Sequence, residues 1–219
     1  MTGIMQAVLG GSFGFQNGWP VANIGAAYGG GFFAGQINVS GTKYNLVVAP
    51  KSTGDDPNRV WGPMGVYTGY TSDIDGPINS AGESALGASY QAARFCENLN
   101  IGSYTDWYLP SLNELEVLYY FLKPDTTSNS TSYGSNANAV FPPEPVSTNY
   151  TVGSPAQTSA GIGFRTGETN AFSSGYYWTS TEYTNNFARV QDFNNGTQAF
   201  FGSKDTTYFN TRAIRRVAV

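Results

Sequence analysis

The side chains in this chain that can do chemistry are few, and their spacing is uninformative. Glu168 and Glu182, if brought together, would make the acid–base pair of a glycosidase, but nothing in the sequence selects them over other acids. Asp73-Ile74-Asp75-Gly76 begins like a calcium loop, in which regularly spaced oxygens and a glycine turn surround a hard cation. Counted from Asp73, the twelfth position is Ser84, with Glu83 one short. The closing bidentate Glu is therefore out of place, and a plain turn is the preferred reading. Cys96 is the only cysteine, which excludes an intrachain disulfide, and it falls on the apolar side of a helical pattern, where a free thiol acts as a small hydrophobe. The chain has no His, so the commonest general base and metal ligand is missing and no Ser-His-Asp set can form. No catalytic residue, metal site or cofactor is expected.

Aromatic rings are the other chemical resource, at 15% of the chain. Trp107, Tyr108 and Trp178 can stack on the apolar faces of sugars, but rings of this size more often bury ~150–250 Å² each in a core. Trp19 and Trp61 lie in loop-rich stretches and are candidates for contact with partners. Near the C-terminus, Arg212, Arg215 and Arg216 need counter-charges in a chain this poor in acids and bases. Asp106 and Glu182 are the expected partners, in forks that fix geometry rather than bind an outside anion.

The elements that must position these groups are legible in part. Phe32–Val39 and Tyr44–Ala49 read as strands joined by a turn over 40–43, with Pro50 as the stop. Residues 80–99 read as one helix with Ser80 or Ser84 as its cap and Asn100-Ile101-Gly102 as its end. The clearest element follows Pro110. Ser111 and Glu114 form a capping box, Leu112, Leu115, Leu118, Tyr119 and Leu122 make an apolar face, and Pro124 ends the helix. Residues 124–172 are a Ser/Thr/Asn/Gly/Pro tract with few apolar anchors, read as a long excursion that carries short strands. Beyond it, Tyr176–Ser180, Phe187–Phe193 and 197–201 read as strands, the last two joined by an Asn195-Gly196 hairpin turn. Thr211–Val217 closes the sheet.

Composition narrows the function classes. Charged residues are 12% of the chain, against about 25% in average proteins, and the net charge is −4. Without a basic stripe, nucleic acid is excluded as an expected partner. The surface must instead be built from Ser, Thr, Asn, Gln, Tyr and Gly, a composition typical of proteins that act outside cells or on particles. No apolar run approaches the ~20 residues of a membrane span. Met1-Thr2-Gly3-Ile4-Met5-Gln6 has neither a charged region nor a long apolar one, so no secretory signal is expected there. Residues 1–30 are Gly-rich and too poor in apolar residues to fold alone. They read either as an arm that orders on a neighbour or as a frayed terminus.

An ordered set of motifs carries a resemblance. The hairpin ends Leu46-Val47-Val48-Ala49-Pro50. A helix with Ala92-Ala93 and Cys96 leads to Asp106-Trp107-Tyr108-Leu109-Pro110-Ser111, and the capped helix continues Glu114-Leu115 and Leu118-Tyr119. Tyr177-Trp178-Thr179-Ser180-Thr181-Glu182 and Arg212-Ala213-Ile214-Arg215 follow. Over residues 31–219 this resembles the C-terminal domain of collagen-like adhesins, which shares a C-type-lectin-like fold with formylglycine-generating enzymes and a phage tropism determinant. The enzymes use a pair of copper-binding cysteines, and this chain has one. The first 30 residues resemble, less specifically, the opening of structural proteins of tailed phages.

The resemblance implies an α+β, C-type-lectin-like fold, a twisted antiparallel sheet with two helices and long loops. Trp107, Ser111, Glu114, Trp178, Glu182, Arg212 and Arg215 would form its structural frame, with ligand-facing loops near 124–172. It implies a non-enzymatic phage virion protein, localised to the particle, that binds a host-surface glycan or protein. The loop residues expected to make contact are Trp61, Tyr67, Tyr70, Tyr133, Tyr150, Phe172 and Tyr176. The alternative is a capsid-decoration, cement or tail-assembly protein anchored to other virion proteins by residues 1–30, self-associating, with a trimer expected by analogy. A cellular adhesin and an enzyme are the weaker alternatives.

Overall fold

A tight hairpin sets the frame. Strands β2 (Gly31–Val39) and β3 (Thr42–Val48) pair antiparallel with Val39 opposite Thr42. The two turn residues, Ser40 and Gly41, both have positive φ, 52° and 92°, the mirror-image turn whose twist matches that of paired strands. A short strand β1 (Ala27–Tyr28) flanks β2, and the C-terminal strand β9 (Ile214–Ala218) flanks β3, giving the order β1-β2-β3-β9. The computed structural model describes residues 24–140, 148–159 and 163–219. Over these the protein is α+β, with antiparallel sheets and four helices.

One face of this sheet is covered by helix α4 (Leu112–Leu122). Leu115, Leu118, Tyr119 and Leu122 pack with Phe33, Ile37, Leu46, Val48 and Ile214 in a core where each large aliphatic chain contributes about 1.5–3 kcal/mol. Close approach of α4 requires Gly35, whose φ is 122° and where a Cβ would come within 2.6 Å of Val117. The capping box is present. The Glu114 carboxylate accepts the Ser111 N–H at 2.8 Å and, on its other oxygen, the Tyr108 hydroxyl at 2.7 Å.

A second sheet, β5 (Tyr176–Glu182), β6 (Phe187–Asp192) and β7 (Gln198–Ser203), is antiparallel in that order, with β7 at its edge. It closes a second core of Trp61, Trp107, Trp178, Cys96, Leu109 and Val190. A minimal pair, β4 (Asp55–Asp56) with β8 (Thr211–Arg212), follows the four-residue helix α1 (Lys51–Gly54) and ties the first sheet's end to the C-terminus.

Three sequence expectations need correction. The helix expected over 80–99 is two helices, α2 (Gly76–Ala85) and α3 (Gln91–Glu97). Gly87, at φ 117°, breaks the helical path between them, and α2 starts at Gly76-Pro77 rather than at a serine cap. Residues 24–30, assigned to the N-terminal arm, belong to the folded unit. Gly25 N–H bonds to Phe33 O at 2.8 Å, Ile24 is buried, and β1 pairs with β2. Residues 1–23 and Trp19 lie outside the described residues, as do 141–147 and 160–162 of the long excursion.

The described part of that excursion is anchored by polar contacts, for which hydropathy gives no signal, as well as by buried rings. Lys123 Nζ reaches Asn129 Oδ1 at 2.7 Å and also bonds the Thr127 carbonyl, while Tyr119 Oη donates to Asn129 Oδ1 at 2.6 Å. The buried Glu116 carboxylate accepts Tyr150 Oη at 2.8 Å and Asn136 Nδ2 at 2.6 Å. Burial lifts the pKa of Glu116 to about 7.

Candidate binding surface

The loop between β4 and α2 is the best-built exposed surface. It is held from beneath by one carboxylate. Glu182, at the end of β5 and buried, accepts the Thr68 N–H on both oxygens at 2.9 and 2.8 Å. It also accepts Thr68 Oγ1 at 2.8 Å and the Gly69 N–H at 2.8 Å. Its charge is met by Lys204, just past β7, in an ion pair with no exposed side-chain surface on either partner. The same ammonium donates to the Val66 carbonyl at 2.8 Å and lies 4.7 Å from the Trp61 ring centroid. A buried pair like this adds little net stability, but its hydrogen bonds make the loop conformation specific.

Further contacts lock the loop to the second sheet. Gly65 N–H bonds Asn186 Oδ1 at 2.9 Å, Gly62 N–H bonds Lys204 O at 3.0 Å, and Ser203 Oγ lies 3.5 Å from Met64 Sδ. With its backbone held inward, the loop turns Met64, Val66 and Tyr67 outward, Tyr67 being 62% exposed. Tyr183 and Phe200 continue the apolar surface, their rings 5.2 Å apart, with the Arg189 guanidinium 4.7 Å over Tyr183. Phe201, next to Phe200 on the edge strand, meets Tyr176 at 5.6 Å.

The expected contact residues divide by burial. Tyr67 stands on the exposed loop. Tyr70 is half-buried at the loop's end, where its ring lies against Gly82 so closely that a Cβ there would overlap it. Tyr176 is half-buried between Phe201 and Phe209. Tyr133 is half-buried against the α4 core. The other three are corrected. Trp61 is completely buried beneath the loop, its Nε1 donating to Thr179 O at 2.8 Å. Tyr150 is buried with its hydroxyl on Glu116, and Phe172 is buried and stacked on Phe193 at 3.9 Å. All three are core residues because polar-looking chain around them folds back over the apolar rings.

Trp107, Ser111, Glu114, Trp178, Glu182, Arg212 and Arg215 are all buried. Of the expected ion pairs, Arg215 with Asp106 is present, as a fork at 2.7 and 2.8 Å. The others differ. Glu182 pairs with Lys204, Arg212 with Asp55 at 3.1 Å, and Arg216 with Asp75 at 2.8 Å. Met64, Val66, Tyr183, Arg189, Phe200, Phe201 and Lys204 were not singled out from sequence. The one available signal was Phe200-Phe201, two consecutive rings where an alternating strand allows one inward.

The chemically suggestive groups stay apart. Cys96 is buried, which raises its thiol pKa well above the ordinary value and makes it unreactive. Glu168 accepts N–H bonds from Gly163 at 2.9 Å and Arg165 at 2.8 Å in its own turn, whereas Glu182 is committed to Lys204 and the loop. Among the described residues, no three acids, cysteines or histidines are grouped to hold a metal ion, and no helix is long and apolar enough to cross a membrane. No family model, curated protein or solved structure matches the chain significantly.

Proposed function

We propose that this protein is a non-enzymatic binding module with a C-type-lectin-like fold, carried on a phage virion, whose 62–70 loop and neighbouring edge strand contact a host-surface glycan or protein. The observation that carries the binding reading is the pairing of a rigid base with an apolar top. Glu182 and Lys204 fix the loop from inside, while Tyr67, Val66 and Met64 face outward beside Tyr183 and Phe200. Exposed aromatic and polar residues on a preorganised loop give contact area at low entropic cost. The lectin-like fold rests on the ordered motifs and on an arrangement compatible with them, in which the terminal strands share one sheet and a second small sheet bears the displayed loop. The virion setting rests on the low charge and the Gly-rich opening.

A second reading, a decoration or tail-assembly protein, is favoured by the edge strand. Among the described residues, β7 pairs on one side only, with β6, and carries the half-exposed rings of Phe200 and Phe201. Such an edge is a template for strand addition by another subunit. Residues 1–23 would serve as the attachment arm and a trimer as the assembly.

Labelled antibody against the chain, imaged on purified particles, separates the two. Label at tail tips or fibre ends supports host binding, and label spread over the shell supports decoration. Absence from particles would overturn the virion setting.

A further inference from the structure

Helix α3 lines an open groove of about 350 Å³, near the lower end of small-molecule clefts. Gln91, Arg94, Phe95 and Asn98 come from one side of the helix, with Leu99 at its end and Arg59 opposite. The helix is pinned by its other side, where Ala92, Ala93 and Cys96 are buried. Arg59 is placed by its backbone. Trp178 Nε1 donates to Arg59 O at 2.9 Å, and Ala92 N–H to the adjacent Val60 O at 3.1 Å. Both walls of the groove are therefore set by the second core.

The charge of this groove is unusual for the chain. Arg212, Arg215 and Arg216 each pair with a carboxylate. Among the described residues Arg94 faces none, and its Nη1 donates to the Ser84 carbonyl at 3.3 Å. Arg59 Nε bonds Asp56 at 2.9 Å, and its guanidinium lies 5.5 Å over Phe95. Among the described residues, no Asp or Glu lines the groove. Two guanidinium charges less the one carboxylate on Arg59 leave a net charge of +1, so the groove attracts an anion. The planar fork of Arg suits the two oxygens of a carboxylate. The Gln91 and Asn98 amides offer donors and acceptors for hydroxyl groups, and Phe95 with Leu99 offers an apolar wall for the C–H face of a ring.

We propose that this groove binds a carboxylated sugar residue, with Arg94 and the free edge of Arg59 on the carboxylate. The site is separate from the 62–70 loop, and it rests on the lectin-like reading only for the expectation of a saccharide partner.

The test is calorimetric titration of the full chain at low ionic strength with trigalacturonate, its neutral methyl ester, and inorganic phosphate. Trigalacturonate is expected to bind, and the methyl ester at least tenfold more weakly. Phosphate should fail to compete at equal concentration. Arg94→Gln should weaken binding at least tenfold with Tm unchanged, and Gln91→Ala should weaken it several-fold. Tyr208→Ala, at an exposed ring assigned to neither surface, should leave the titration unchanged. No binding of trigalacturonate, equal binding of the ester, equal competition by phosphate, insensitivity to both groove variants, or loss of binding in Tyr208→Ala would each overturn the assignment. Failure of the loop reading shows elsewhere, in host binding by the Tyr67 variant, so the two are distinguishable.

Discussion

Lys204 and Glu182 form an ion pair that is wholly enclosed, and both ends of it also hold the backbone of one exposed loop. Removing one partner leaves a buried charge without compensation, which costs about 3–5 kcal/mol. Lys204→Met is expected to lower stability in urea denaturation by about that much. It should also speed hydrogen exchange at Thr68 and Gly69, whose amides bond the orphaned carboxylate. A Lys204→Met, Glu182→Leu double variant should recover part of the stability but not the exchange protection of the loop.

Burial separates the display residues from the core residues, and substitution should separate them too. Tyr67→Ala and Phe200→Ser remove exposed rings and should change stability by no more than about 0.5 kcal/mol. Phe172→Ala and Tyr150→Ala empty core positions and should each cost about 3–5 kcal/mol. Chemical denaturation of the four variants checks this directly.

Buried carboxylates give the fold a definite pH dependence. Burial pushes the Glu116 carboxyl up from its ordinary 4.5 to about 7 in the folded chain, outweighing its bonds to Asn136 and Tyr150. Glu83 is raised well above 4.5, first by burial and then by the nearby Glu182 charge, and among the described residues neither of its oxygens has a hydrogen-bond partner. With folded pKa values above unfolded ones, the folded state holds more protons, so this stability is full below about pH 4.5 and is lost as pH rises. The Glu116 part falls away between 4.5 and about 7, by about 3 kcal/mol. Glu116→Gln should flatten this segment of a stability–pH profile, and Glu83→Gln should raise stability at pH 8. A profile rising from pH 5 to 7 in the native chain, unaffected by Glu116→Gln, would contradict the assignment.

The placement of residues 24–30 in the first sheet makes truncation informative. Removal through residue 30 deletes β1, the buried Ile24 and the Gly29 carbonyl that accepts Arg215 Nη1 at 3.2 Å. It should cost several kcal/mol more than removal through residue 23, measured as a difference in thermal unfolding. Equal Tm values for the two truncations would contradict that placement.

Legibility in the sequence followed the physics of each element. The β2–β3 hairpin, the Ser111–Glu114 cap and the Asn195-Gly196 turn were readable because local chemistry alone specifies them. The α2–α3 break was missed because Gly87 is tolerated in a helix pattern and only its φ reveals the break. Phe172 and Tyr150 were misplaced because the described parts of 124–172 are tied down by Lys123, Glu116 and Asn129, whose long-range hydrogen bonds leave no periodicity. The candidate surface was legible at Tyr67 and hidden elsewhere, since Glu182 and Lys204 are 22 residues apart and nothing local marks them as partners.

The most direct test of the displayed surface is binding of the purified full chain to an array of bacterial surface polysaccharides and envelope proteins, run beside Tyr67→Ala and Phe200→Ser at matched stability. Binding by the native chain that falls at least tenfold in both variants is the expected result. Binding that survives both substitutions unchanged would contradict the 62–70 loop and its edge strand as the contact surface.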